Sequence, residues 1–189
     1  MLFRSSSITG TNNKNYSRLG ETWSNPRIIR VRDSGGDRWV AVFGSGYNGA
    51  GGTSAVYVVD LHPNNTTAPG VFEGFLRTKV DIANQNTGIP NSITADLTVI
   101  TPNSTTLFDS TTYGAMVYAL ALDGMVYKIN LTNKGTFADF NRLFSANSNS
   151  TNARYTFNNM EAGISDGNLW LYFGTGDMTK IEDRTNSQL

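Results

Sequence analysis

Two runs of β-forming residues joined by a glycine-rich stretch constrain this chain more than any other feature. Trp39-Val-Ala-Val-Phe43 and Ala55-Val-Tyr-Val-Val59 are short, nearly continuous apolar runs of strand length, and neither shows helical period. Gly44 to Ser54 between them holds five glycines. A segment so poor in Cβ atoms joins strands and does not form a helix. The whole stretch, Arg38–Leu61, reads as strand, glycine-rich connection, strand.

Weaker copies follow. Gly114 to Leu131 is again strand, turn (Asp123-Gly124), strand, and Val126-Tyr-Lys-Ile-Asn-Leu131 echoes Val56-Tyr-Val-Val-Asp-Leu61. A third copy opens at Asn168, where Phe173-Gly-Thr-Gly176 echoes Phe43-Gly-Ser-Gly46. Repeated four-strand units are the pattern of propeller blades. The copies lie further apart than the usual period of roughly 40–50 residues, so long loops are expected between strands.

The first unit reads as strands at Thr22–Val31 (Pro26 near its start), Arg38–Phe43, Ala55–Asp60 and an outer Val71–Val80. The second has a strand candidate at Ser92–Ile100, an inner pair at Met116–Leu122 and Met125–Leu131, and an outer strand at Phe140–Ser145. The third opens with Tyr155–Ser165 and Leu169–Phe173. No convincing helix stands out, with Phe137–Phe144 as the one candidate for a single helical turn. Approximate blades are therefore 20–80, 92–145 and 155–189. The expected fold is all-β, a quinoprotein-like β-propeller of which this chain is about two and a half blades. Closed propellers have typically 4–8 blades, and a partial one leaves strand edges unpaired. The chain is then expected to be a piece of a larger ring, or to be completed by another chain, and to be poorly soluble by itself.

Charge narrows the partners. Fifteen Lys and Arg balance fifteen Asp and Glu, and no basic face points to nucleic acid. Charged residues are 16%, below the usual figure of about 25%, with Asn, Ser and Thr in their place. No apolar segment approaches the length of a membrane-spanning helix, and Met1-Leu-Phe-Arg-Ser-Ser-Ser7 lacks the apolar core of a signal peptide. There are no cysteines, which excludes disulfides, thiolate metal sites and cysteine nucleophiles. Sequons at Asn15, Asn65, Asn103, Asn130 and Asn149 are what so Asn- and Thr-rich a composition gives by chance.

Several groupings resemble chemistry. Gly44-Ser-Gly-Tyr-Asn-Gly49 matches G-x-G-x-x-G after a strand, with Asp60 near the expected acidic position. A dinucleotide site needs a helix next, since the pyrophosphate sits on its N-terminal N–H groups; here more glycine and a strand follow. His62 is the one histidine, so a His-based triad would have to use it, and no nucleophile motif flanks it. Asp33 and Asp37 bracket a diglycine turn, and Asp177, Glu182 and Asp183 cluster near the C-terminus. Neither forms a complete calcium loop. Trp23, Trp39, Trp170, Tyr57, Tyr118, Tyr127 and Tyr172 sit in or beside strands, as packing residues or as sugar-stacking platforms.

Taken in order, Glu21-Thr-Trp-Ser-Asn-Pro-Arg-Ile29, Trp39 to Asn48, Ala55 to Leu61, Thr94-Ala-Asp-Leu97, Val117-Tyr-Ala119 and Tyr172-Phe-Gly-Thr-Gly-Asp177 resemble the C-terminal propeller of the PilC/PilY family. These are type IV pilus tip-associated biogenesis factors and adhesins. The resemblance covers most of residues 20–180. It implies a non-enzymatic module at the cell surface that promotes pilus extension, counters retraction and touches host or abiotic surfaces. The implied partners are minor pilins, that surface and the remaining blades. Calcium is the cofactor the family implies, held by an aspartate-rich loop. That loop falls on Asn103–Tyr113, where Asp109 is the one acidic residue, a degenerate calcium-loop candidate. The family's Gly-Asp-Leu after Val-Tyr-Ala is here Leu120-Ala-Leu122. Two other readings are open at this point: a quinone-dependent dehydrogenase of the same propeller type, and a carbohydrate-binding propeller. No catalytic residue is assigned.

Overall fold

The apolar runs form strands because each lies between two covered faces. The computed structural model describes residues 16–33, 36–47, 54–61, 75–82, 92–101, 114–132, 135–146 and 154–176. The strands are β1 (Arg27–Asp33), β2 (Gly36–Gly44), β3 (Ser54–Asp60), β4 (Phe75–Ile82), β5 (Thr98–Ile100), β6 (Ala115–Leu120), β7 (Met125–Leu131), β8 (Phe137–Ser145), β9 (Glu161–Ser165) and β10 (Asn168–Tyr172). The protein is all-β. The strands build two four-stranded antiparallel meanders, β1-β2-β3-β4 and β5-β6-β7-β8, and a two-stranded β9-β10 hairpin. Neither meander closes on itself.

The three sheets stack face to face. Ile29, Val31, Val40, Val42, Val56, Val58 and Ile82 of the first sheet share one core with Val117, Ala119, Tyr127 and Ile129 of the second. The opposite face of the first sheet, with Ala41, Phe43, Ala55 and Tyr57, is covered by Leu19 and Tyr16. The opposite face of the second, with Tyr118, Leu120 and Val126, meets Met160, Leu171 and Phe173 of the hairpin unit. Strand pairing puts the three units in one frame. Phe43 faces Tyr57 across β2–β3 as Ala119 faces Tyr127 across β6–β7. Arg27 opposes Val42, Thr98 opposes Tyr118 and Glu161 opposes Tyr172.

Four sequence expectations change. The first strand of each unit is shorter than its apolar pattern suggests: β1 begins at Arg27 rather than Thr22, β5 at Thr98 rather than Ser92, and β9 at Glu161 rather than Tyr155. The residues before each strand spend their backbone hydrogen bonds on strand ends and side chains, not on a ladder. β6 ends at Leu120, because Ala121 already closes the Asp123-Gly124 turn by donating its N–H to Met125 O. Phe137–Phe144 is not helical; it lies in β8, paired along β7. The outer strand of the first unit runs Phe75–Ile82, with residues 71–74 outside the described set.

Candidate functional site

The lead-in segments ahead of β1, β5 and β9 meet one another and build a polar joint that runs from sheet to sheet. Asn25, Asp96 and Asn159 each stand two residues before the first strand of their unit. The Asn25 N–H donates to Asp96 Oδ1 at 2.6 Å, and the Asp96 N–H donates to Asn159 Oδ1 at 2.9 Å. The same contact thus recurs from one sheet to the next. A second one recurs beside it. Arg27 Nε donates to Leu97 O at 3.1 Å, and Thr98 Oγ1 donates to Met160 O; both donors are the first residue of a first strand. Asp96 also accepts from the side-chain amides of Asn25 and Asn159 and lies 3.6 Å from the Arg27 guanidinium. Both oxygens of this buried carboxylate are thus supplied with donors.

The ends of the second strands lock into the same joint. Gly46 donates its N–H to Ile93 O, one residue into the next unit's lead-in. Thr156, at the equivalent place in the following unit, donates its N–H to Leu122 O and its Oγ1 to Ala121 O at 2.5 Å. Within each unit the second strand's end also holds its own lead-in: Tyr47 with Glu21, Leu122 with Ser92 O, Gly176 with Tyr155 O.

This settles the role of Gly44-Ser45-Gly46. A Cβ on Gly44 would lie 2.5 Å from Ile93 Cγ2 and 2.7 Å from its carbonyl oxygen. Gly46 has φ +80 and a Cβ there would overlap the Glu21 carbonyl. The glycines admit two backbones at close range, and the chain after them returns as β3. Asn48 and Gly49 lie outside the described residues. Asp60, the matching acidic position, is buried and ion-paired with Arg77 at 2.8 Å and Arg38 at 3.7 Å.

The other sequence candidates separate. Asp37 is held by Arg30 and Arg32. The Arg32 hydrogen bond first, then that of Arg30, lowers its pKa below the usual carboxylate value. That carboxylate is engaged by guanidinium groups. His62, Asp109, Asp177, Glu182 and Asp183 fall outside the described residues, as does the side chain of Asp33. Among the described residues, no three His, Cys, Asp or Glu gather as a group able to hold a metal ion. Asn130 lies on β7 and is half-buried, unlike the surface loop that glycosylation requires.

The aromatic residues divide by burial. Tyr57, Tyr118 and Tyr127 are core residues, and burial pushes the hydroxyls of Tyr57 and Tyr127 up to about 12. They pack and stay neutral. Trp23 is 61% exposed and stacks with Tyr47 at 6.1 Å and 10° between planes. Trp39, Trp170 and Tyr172 are exposed on the two outer faces of the stack.

One buried acid stands apart. Asp123, in the β6–β7 turn, accepts from the Met125 N–H through Oδ1 at 3.3 Å, while its Oδ2 is buried without a hydrogen-bond partner. Burial raises its pKa.

In the sequence, Asn25 and Asp96 stand out only as members of the quoted runs Glu21–Ile29 and Thr94–Leu97, and Asn159 does not stand out at all. Their common signal is an Asn or Asp two positions ahead of each unit's first strand. Among the described residues, no helix is long and apolar enough to cross a membrane. In comparisons with protein-family models, curated proteins and solved structures, nothing matches the chain.

Proposed function

We propose that this chain is a non-enzymatic β-propeller module of a type IV pilus-associated adhesin and assembly factor, acting at the bacterial surface. Its partners would be minor pilins, a host or abiotic surface, and the further sheets that complete the ring. The observation that supports the reading is where the resembling runs fall. Glu21–Ile29, Thr94–Leu97, the start of Trp39–Asn48 and the described part of Tyr172–Asp177 are lead-ins and second strands, the parts that join one sheet to the next. Stacked four-stranded meanders in a constant register are what successive propeller blades require. The calcium that the resemblance implies rests on Asp109, which lies outside the described residues.

Fractionation tests the location. Pili sheared from the source cells and probed with an antibody to this chain should carry it, and the signal should leave that fraction when the major pilin is deleted. A soluble cytoplasmic signal, indifferent to pilin, would reduce the resemblance to one of fold.

A further inference from the structure

The β6–β7 turn, Ala121 to Gly124, ties three separate segments together through its backbone. Leu122 donates its N–H to Ser92 O at 2.6 Å, and Gly124 O accepts the N–H of Ala146, just past β8, at 3.0 Å. Ala121 O and Leu122 O both hold Thr156, in the lead-in of the third unit. The packing leaves no slack: a Cβ on Gly124 would lie 2.7 Å from Ala146 Cβ and 3.1 Å from Arg154 O. Asp123 sits in the middle of this turn, wholly buried, with Oδ1 on the Met125 N–H and Oδ2 without a hydrogen-bond partner. A charge in that place is costly, and a neutral acid is much less so. Among the described residues, the titratable and charged groups around it are Tyr127, Arg142 and Arg154. The Tyr127 hydroxyl is itself buried without a partner, Arg142 is exposed on β8, and Arg154 donates to Ala146 O. The corresponding tie between the first and second sheets has no such acid. There Gly46 donates its N–H to Ile93 O, and the neutral Ser45 hydroxyl accepts the Ala55 N–H.

We propose that the Asp123 turn is an acid-closed latch between the second sheet and the third unit. With its proton, Asp123 stays inside and the turn holds Thr156. Without it, the carboxylate moves out toward water and the Arg142 guanidinium, and the turn lets Thr156 go. The two states differ by one proton and by where one side chain lies. Burial is the largest influence on the closed-state acid and raises its pKa; the Met125 N–H, its own N–H and Arg142 pull the other way. In the open state the side chain is in water, with an ordinary pKa of about 4. The latch is therefore fully closed below about pH 4. Above that, opening rises about tenfold for each pH unit until the pH passes the closed-state value, and then levels off. This device goes beyond the pilus reading and does not depend on it.

Amide exchange of the whole chain, corrected for the intrinsic dependence of exchange on pH, reads the latch at the Thr156 N–H. Its protection should be greatest near pH 4 and fall at least severalfold by about pH 7. The Gly46 N–H, which makes the corresponding tie between the first two sheets, should keep its protection over the same range. Asp123→Asn keeps an oxygen for the Met125 N–H but carries no charge. It should hold Thr156 at the acid level of protection at both pH values. Circular dichroism shows whether that variant is folded, and the parent's own comparison of Thr156 with Gly46 decides the matter if it is not. Thr156 protection that does not change with pH, an equal fall at Gly46, or a fall that persists in folded Asp123→Asn would each overturn the proposal. The pilus-fraction result would stand whichever way this falls.

Discussion

At the scale of single residues, burial and close approach decide what each side chain can do. Asp123 shows it most plainly. Its carboxyl is wholly inside, one oxygen has no partner, and desolvation favours the neutral acid. A folded-state pKa above the unfolded value of about 4 means that the group supports folding most at acid pH. That contribution is lost as pH rises through the folded-state value. Asp123→Asn should therefore raise the melting temperature at pH 7 by a few degrees, roughly 2–4 °C for each kcal/mol in a chain of this size, and by less near pH 4. Scanning calorimetry at the two pH values reads the difference, and an equal gain at both would contradict the assignment. Asp60 is the contrasting case: also buried, it is paired with Arg77 and Arg38, so its charge is matched where it sits.

At the scale of elements, the legible parts were those determined by their own residues. β2, β3, β6 and β7 announced themselves because most of their positions are buried, and a strand covered on both faces reads as an unbroken apolar run. β8 is legible only in its Phe140–Ser145 part and there competes with a turn of helix, since its residues Ala138 to Phe144 are all exposed and an uncovered outer strand carries no burial pattern. The lead-ins read as strand because Thr22–Val31 and Ser92–Ile100 contain β-formers. Their hydrogen bonds run to residues far off in sequence, and no local pattern records those partners. The candidate joint was hidden for the same reason: Asn25, Asp96 and Asn159 are ordinary polar residues until three sheets bring them together. The Gly44–Gly46 element yields a direct expectation. Gly46→Ala places a Cβ against the Glu21 backbone at a left-handed φ. The strain should cost at least ~1–3 kcal/mol, seen as a lower urea midpoint with an unchanged slope. A midpoint equal to the parent's would mean that the lead-in does not pack against the end of β2 as described.

At the scale of the whole molecule, the account says that sheets follow one another in a fixed register, each tied to the next by an Asn or Asp side chain accepting a backbone N–H. The apolar cores between sheets supply most of the stacking free energy, while the polar ties set which residue meets which, since a buried carboxylate tolerates few arrangements. The propeller reading presupposes this series, and the pilus proposal rests on that reading. The most direct measurement is amide hydrogen exchange at Asn25 and Asp96, in the parent chain and in Asp96→Ala and Asn159→Ala. The account predicts slow exchange at both amides in the parent. Asp96→Ala should speed exchange at Asn25, and Asn159→Ala should speed it at position 96, with the strand amides of β2 and β3 still protected. Parent amides at Asn25 and Asp96 that exchange as fast as an open loop, or that ignore both substitutions, would contradict the series and with it the stacking of the three sheets.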